Sequence, residues 1–125
     1  MMRLLELESG PALRVCALEL DGRCASLEFV RGLPVRAQQG IFATFALLAK
    51  CGWRLRNETR FKHLREDVYE IKEYSSNVRL FCFLHAGRLV VCTHGTRKPG
   101  GRGRYAREIE KVLRLHRMAE EQAVI

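Results

Sequence analysis

Proline and tryptophan are scarce, three residues and one in 125, and every spacing that would mark a metal or redox site is missing. The five cysteines, at 16, 24, 51, 82 and 92, form no C-x-x-C pair and no zinc-ligand interval. Such an odd, scattered set excludes a disulfide framework and predicts reduced, mostly buried thiols in a cytosol. No apolar run approaches the roughly twenty residues that cross a bilayer, so no membrane association is expected. The opening MMRLLELESG turns charged too soon for a secretory leader, and the expected location is cytoplasmic. Asp and Glu show no two-metal nuclease clustering. Glycines of the PGGRG stretch at 99–103 fit neither a P-loop nor a dinucleotide fingerprint, and no cofactor is expected. There is no internal repeat and no low-complexity tract.

What is present is a chain of one-domain length, residues 1–125, with 47% hydrophobic and 29% charged residues, as in an ordinary folded domain. Its formal charge is +8, which favours polyanionic partners. The excess is local. Residues 97–117 hold eight Lys and Arg against Glu108 and Glu110, whereas the first thirty residues hold five acids against three bases.

Val68 to Lys98 organises the rest. Three runs rich in β-branched and aromatic residues, Val68–Tyr74, Val78–His85 and the stretch after Gly87, are separated by Ser75-Ser76-Asn77 and Ala86-Gly87, and predict an antiparallel meander. A two-residue turn at Ala86-Gly87 sets His85 opposite Arg88, Phe83 opposite Val90, Phe81 opposite Cys92 and Arg79 opposite His94. An even first loop sets Lys72 opposite Arg79. One face then holds Lys72, Arg79 and His94, with Arg97 and Lys98 just beyond. Tyr69, Ile71, Leu80, Cys82, Leu84, Leu89 and Val91 form the opposite, core-facing layer.

Upstream, Leu13–Leu20 alternates as a strand with Arg14, Cys16, Leu18 and Leu20 inward, ending at the turn pair Asp21-Gly22. Ser26 is a candidate cap for a short helical turn through Leu27 and Phe29. Pro34 suits the first turn of a helix over Val35–Cys51, whose Ala37, Ile41, Phe45 and Leu48 recur at helical spacing until Gly52. This helix covers the inward sheet face. Trp53–Leu64, basic with interspersed aromatics, has a composition that can contact nucleic acid; for Trp53, Leu55 and Phe61 singly, plugging the joint between helix and sheet is the simpler role. A last helix spans Arg104–Gln122, with Ile109, Val112, Leu113 and His116 on its narrow apolar stripe.

In their order and spacing these residues resemble a family. Lys62-x-Leu64, Val68-Tyr69-Glu70-Ile71-Lys72, Asn77-Val78-Arg79, a strand ending in His94-Gly95-x-Arg97-Lys98, and Arg107-Glu108-Ile109-Glu110 look like the RelE/HigB group of bacterial type II toxins, nearest its phage-derived HigB-like branch. The resemblance implies an α+β fold, a RelE-like twisted antiparallel sheet (the meander plus an N-terminal strand) packed with helices. It implies a ribosome-dependent mRNA endonuclease held inactive by a cognate antitoxin, often of helix-turn-helix type. Lys72 and Arg79 stand where relatives place cationic active-site residues, and Arg97 and Lys98 where they place a basic residue after the last core strand. Departures are Glu70, where many relatives carry a second base; Tyr105, displaced from the relatives' tyrosine by PGGRG; and Pro99-Gly100-Gly101 in place of a Lys/Thr/Gln-rich segment.

Cutting RNA without a metal needs a base for the 2′-hydroxyl, a stabiliser for the five-coordinate phosphate and an acid for the leaving oxygen. His94 suits acid or base, Arg79 the phosphate, Lys72 either the attacking alkoxide or the phosphate, and Arg97 with Lys98 the positioning of the backbone. Lys62, His63, Arg65, Lys98, Arg102, Arg104 and Tyr105 complete the expected RNA-contacting set. An ion pair of Glu70 with Lys72 or Arg79 would blunt such a site. The alternative is a non-catalytic module on the same scaffold, directed at gyrase as the ParE relatives are or serving only to bind an antitoxin. Arg79→Ala separates them: sequence alone predicts lost mRNA cutting with the fold intact.

Overall fold

Alternating residues of six strands build one sheet in the order β1-β2-β6-β5-β4-β3. The computed structural model describes residues 1–52 and 60–125, the Arg102 side chain excepted. Its strands are β1 (Met2–Ser9), β2 (Arg14–Leu20), β3 (Phe61–Arg65), β4 (Val68–Glu73), β5 (Val78–His85) and β6 (Leu89–Arg97); its helices are α1 (Ala25–Arg31), α2 (Val35–Cys51) and α3 (Arg102–Glu121). Only β2 and β6 run parallel. The α+β expectation is borne out, and β1 and β3 add edge strands that the alternation of the sequence did not reveal. Trp53 and Leu55 lie outside the described residues. Phe61 is buried and stacks on Tyr69 at 4.7 Å, the plugging role.

Two apolar layers sandwich the sheet. Leu80, Cys82, Val90 and Cys92 face α1 and α2, while Phe81, Phe83 and Val91 face α3. A central strand covered on both faces loses its alternation. Val15 and Cys16 are therefore both fully buried, which corrects the one-sided reading of β2. All five cysteines are free, with Cys16, Cys82 and Cys92 buried. The short helix is capped at Cys24, and Ser26 lies buried inside it. No described helix is long and apolar enough to cross a membrane.

Register in the meander agrees in one hairpin and differs in the other. Four residues, Tyr74–Asn77, separate β4 from β5, and Lys72 faces Arg79. In the second hairpin Ala86 and Gly87 both take positive φ, 52° and 67°. Arg88, however, gives its carbonyl to the Arg14 N–H of β2, and the ladder resumes with His85 opposite Leu89. That extra residue sends Val90 and Cys92, not Leu89 and Val91, into the α2-side core. A bulge between Phe81 and Cys82 then restores parity, setting Phe81 opposite His94 and Arg79 opposite Thr96. His94 thus shares a face with Arg79, though not as its direct partner. Gly95 follows because Phe29 of α1 lies where its Cβ would stand.

Candidate functional site

The ends of β4 and β6, the start of β5 and the first turns of α3 meet at one end of the sheet. Arg79 lies on its floor at 3% exposure. A charge so deep needs a partner, and Glu70, 2% exposed, supplies it: Arg79 Nε is 3.6 Å from Glu70 Oε1. That is an ion-pair contact too long for a hydrogen bond. Arg79 Nε and Glu70 Oε2 have no hydrogen-bond partner among the described residues. Another guanidinium nitrogen, Nη1, donates to the Val78 carbonyl at 2.9 Å. Tyr105 of α3 sits edge-on to Phe81 at 6.2 Å. Burial pushes its phenol above the usual range, and the neighbouring Glu70 carboxylate adds to the rise. Glu70, Arg79 and Tyr105 therefore form one polar knot under α3.

His94 is buried and stacks on Phe81 at 5.2 Å. Its Nε2 lies 3.0 Å from Glu108 Oε2 of α3, and its Nδ1 lies 2.9 Å from Thr93 Oγ1. Burial, then the charge of Lys111, hold the imidazole below its ordinary pKa, against the pull of Glu108. The neutral ring is favoured accordingly. These partners assign its proton to Nε2, donated to Glu108, with the Thr93 hydroxyl donating to Nδ1. The Phe81 carbonyl, 3.3 Å from that hydroxyl, can accept from it instead when the ring is protonated.

Glu108 also lines an open cleft of about 410 Å³, together with Thr96, Arg97, Lys98, Arg104 and Arg107. Four cations thus surround one carboxylate whose second oxygen has no hydrogen-bond partner among the described residues. Lys98 is tied down by its backbone N–H, which donates to the Asn77 carbonyl at 2.9 Å.

A family model described as "Phage derived protein Gp49-like (DUF891)" matches residues 28–117, which are 90 of the 125. The chain belongs to the Gp49-like family. This family is associated with toxin–antitoxin systems. No curated protein and no solved structure matches the chain. The matched span of this Gp49-like protein runs from α1 into α3 and contains the whole floor of the site; β1 and β2 lie before it.

The Gp49-like fold gathers Lys72, Arg79, His94, Arg97, Lys98, Arg104 and Tyr105 at this sheet end. Arg102 opens α3, and its side chain lies outside the described part of the chain. The β3 residues are less central. Lys62 is exposed opposite Glu70. His63 pairs with Tyr69 on the other sheet face and contacts the Glu66 carbonyl. Arg65 is held by Glu110 of α3. Sequence reasoning missed Glu108, and one signal for it was present: it is one of only two acids in the basic run 97–117.

Farther along α3, His116 stacks on Phe83 at 4.1 Å and lies 3.2 Å from Nδ1 of His85. Burial lowers its pKa, and His85 does so further, against Glu120 and Asp67. His94 and His116 therefore bind protons more weakly folded than unfolded. Stability is full above the ordinary histidine value of about 6.5 and is lost as pH falls through the two lowered values. Thermal melts are expected to show a level Tm from pH 7 to 8 and a fall from about pH 6.5 to 5, reduced in His116→Phe. A Tm that rises on acidification contradicts the assignment.

Proposed function

We propose that this Gp49-like protein is a RelE/HigB-type toxin, an endoribonuclease that cuts translated mRNA at the ribosome and is restrained by a cognate helix-turn-helix antitoxin. Support comes chiefly from one observation, a carboxylate held by a buried imidazole in the wall of a cationic cleft. Glu108 takes the proton of the 2′-hydroxyl, and His94, donating to Oε2, keeps the carboxylate oriented. Arg97, Arg104 and Arg107 hold the phosphate and oppose its growing negative charge. Among the cleft's cations Lys98 alone has a proton to give, because guanidinium does not deprotonate in proteins. It serves the leaving 5′-oxygen. The chain's own side chains thus provide base, acid and electrostatic stabilisation.

A second reading is favoured by the buried Glu70–Arg79 pair, which withholds from solvent the arginine that the family resemblance makes catalytic. On that reading the protein is a non-catalytic module that binds an antitoxin or acts on gyrase. Primer extension on cellular mRNA during expression decides between them. Discrete cuts inside translated frames are expected for the wild type, weaker by at least about tenfold in Arg97→Ala/Lys98→Ala, the equivalent of one charge-assisted hydrogen bond. Growth arrest with intact mRNA selects the second reading.

A further inference from the structure

The solvent side of α3 carries a row of cations. Arg104, Arg107, Lys111 and Arg114 are all exposed, and their intervals of three and four residues stack them along one side of the helix over roughly 15 Å. Among the described residues none of the four lies within ion-pair distance of a carboxylate. The two acids that fall between them in sequence have other partners, Glu108 in His94 and Glu110 in Arg65.

Such a row works against the helix that carries it. Like charges three and four residues apart repel each other, and the helix dipole favours acids in the first turn and bases in the last. In α3 the first turn has no acid, and the last turn, which ends in Glu120 and Glu121, has no base. A polyanion laid along the row relieves the repulsion.

The row also continues the cleft described above. Arg107 and Glu108 line that cleft, and they equally line an open groove of about 500 Å³ that extends along α3 past Ala106 to Lys111 and Arg114. The wall of one is the start of the other, and a single helix fixes the distance between them.

We infer that the groove of Lys111 and Arg114 is a track for the RNA strand beyond the Glu108 cleft. With one phosphate among Arg97, Arg104 and Arg107, the next phosphates of the same strand lie against Lys111 and Arg114. This rests on the RNA reading above and extends it from the bond that is cut to the strand on one side of it. The contacts are to phosphate, so the track adds affinity without reading sequence.

Lys111→Ala/Arg114→Ala takes two repelling charges off a helix surface and puts a strong helix former in their place, so its Tm is expected to equal or exceed that of the wild type. Labelled 2′-O-methyl oligoadenylates lack the attacking hydroxyl and stay uncut. A trinucleotide, which fills only the cleft, and a strand of about ten nucleotides are compared by fluorescence anisotropy between about 50 and 200 mM salt, where each phosphate neutralised adds about 0.7 to the slope of log K against log salt. On the longer strand the variant is expected to lose about 1.4 of slope, for two phosphates, and at least about tenfold in affinity. On the trinucleotide it is expected to match the wild type. An unchanged slope on the longer strand, with Arg97→Ala/Lys98→Ala weakening both oligonucleotides, overturns the track and leaves the RNA reading standing. A wild type that binds an RNA duplex more tightly than the longer strand, a preference lost in Lys111→Ala/Arg114→Ala, overturns the assignment of the groove to a single strand. A wild type that binds neither oligonucleotide brings down the RNA reading and the track together.

Discussion

Arg79→Ala is expected to lower the free energy of unfolding by about 3–5 kcal/mol, a large share of the roughly 5–15 kcal/mol that holds a domain together. Truncating the guanidinium leaves Glu70, at 2% exposure, as an uncompensated buried carboxylate, and the desolvation cost of that charge dominates the loss. Urea denaturation reads the effect as a lower midpoint at unchanged m. Glu70→Leu/Arg79→Met is expected to recover most of it, because exchanging a whole buried pair for apolar groups is near neutral or stabilising. A loss below about 1 kcal/mol in Arg79→Ala, the size of a surface pair, would mean that water reaches Glu70. The buried pair sets this expectation against the intact fold expected from the sequence. Burial makes this arginine structural whatever else it does, and activity lost in the single variant has to be judged against the double one.

Glu108→Gln is expected to slow RNA cleavage by at least about 100-fold, the usual contribution of a positioned general base, while RNA affinity holds or improves. An amide keeps an oxygen to accept from His94 Nε2 but cannot take up the 2′-hydroxyl proton. Removing the one carboxylate in that cationic wall also leaves more positive charge for phosphate. This opposite movement of rate and affinity separates a base from a merely structural contact, which would lower both or neither. Full cleavage by Glu108→Gln would remove it from the chemistry and return the 2′-hydroxyl to another group.

Much of the site was legible in the order of residues along the chain. The turn residues and β-branched runs delimit the meander, and even parity across Tyr74–Asn77 brings Lys72 beside Arg79. His94 reached the right face through two offsetting departures. Arg88 adds a residue at the second turn because β2 takes its carbonyl, and the bulge between Phe81 and Cys82 takes the shift back. Both lie within that hairpin, but the first goes with a contact to β2 and the second is one extra residue in the ladder, and neither shows in the alternation. The likeness to toxins found in scattered motifs agrees at the coarser level with the Gp49-like match over residues 28–117.

Periodicity and turn chemistry by themselves determined the three meander strands, the long helix before them and the basic helix after them, since each depends on residues a few positions apart; the α+β class came with the family resemblance. Tertiary structure alone decided which groups touch. How α3 is rotated over the sheet sets Glu108 against His94 and Tyr105 over Glu70 and Arg79. That rotation is fixed by the packing of Ile109, Val112, Leu115 and Ala119 on Phe81, Phe83 and Val91, contacts between distant parts of the chain. A strand's parity says which face a side chain takes; only the helix docked there says whether that face is an open site or a buried one.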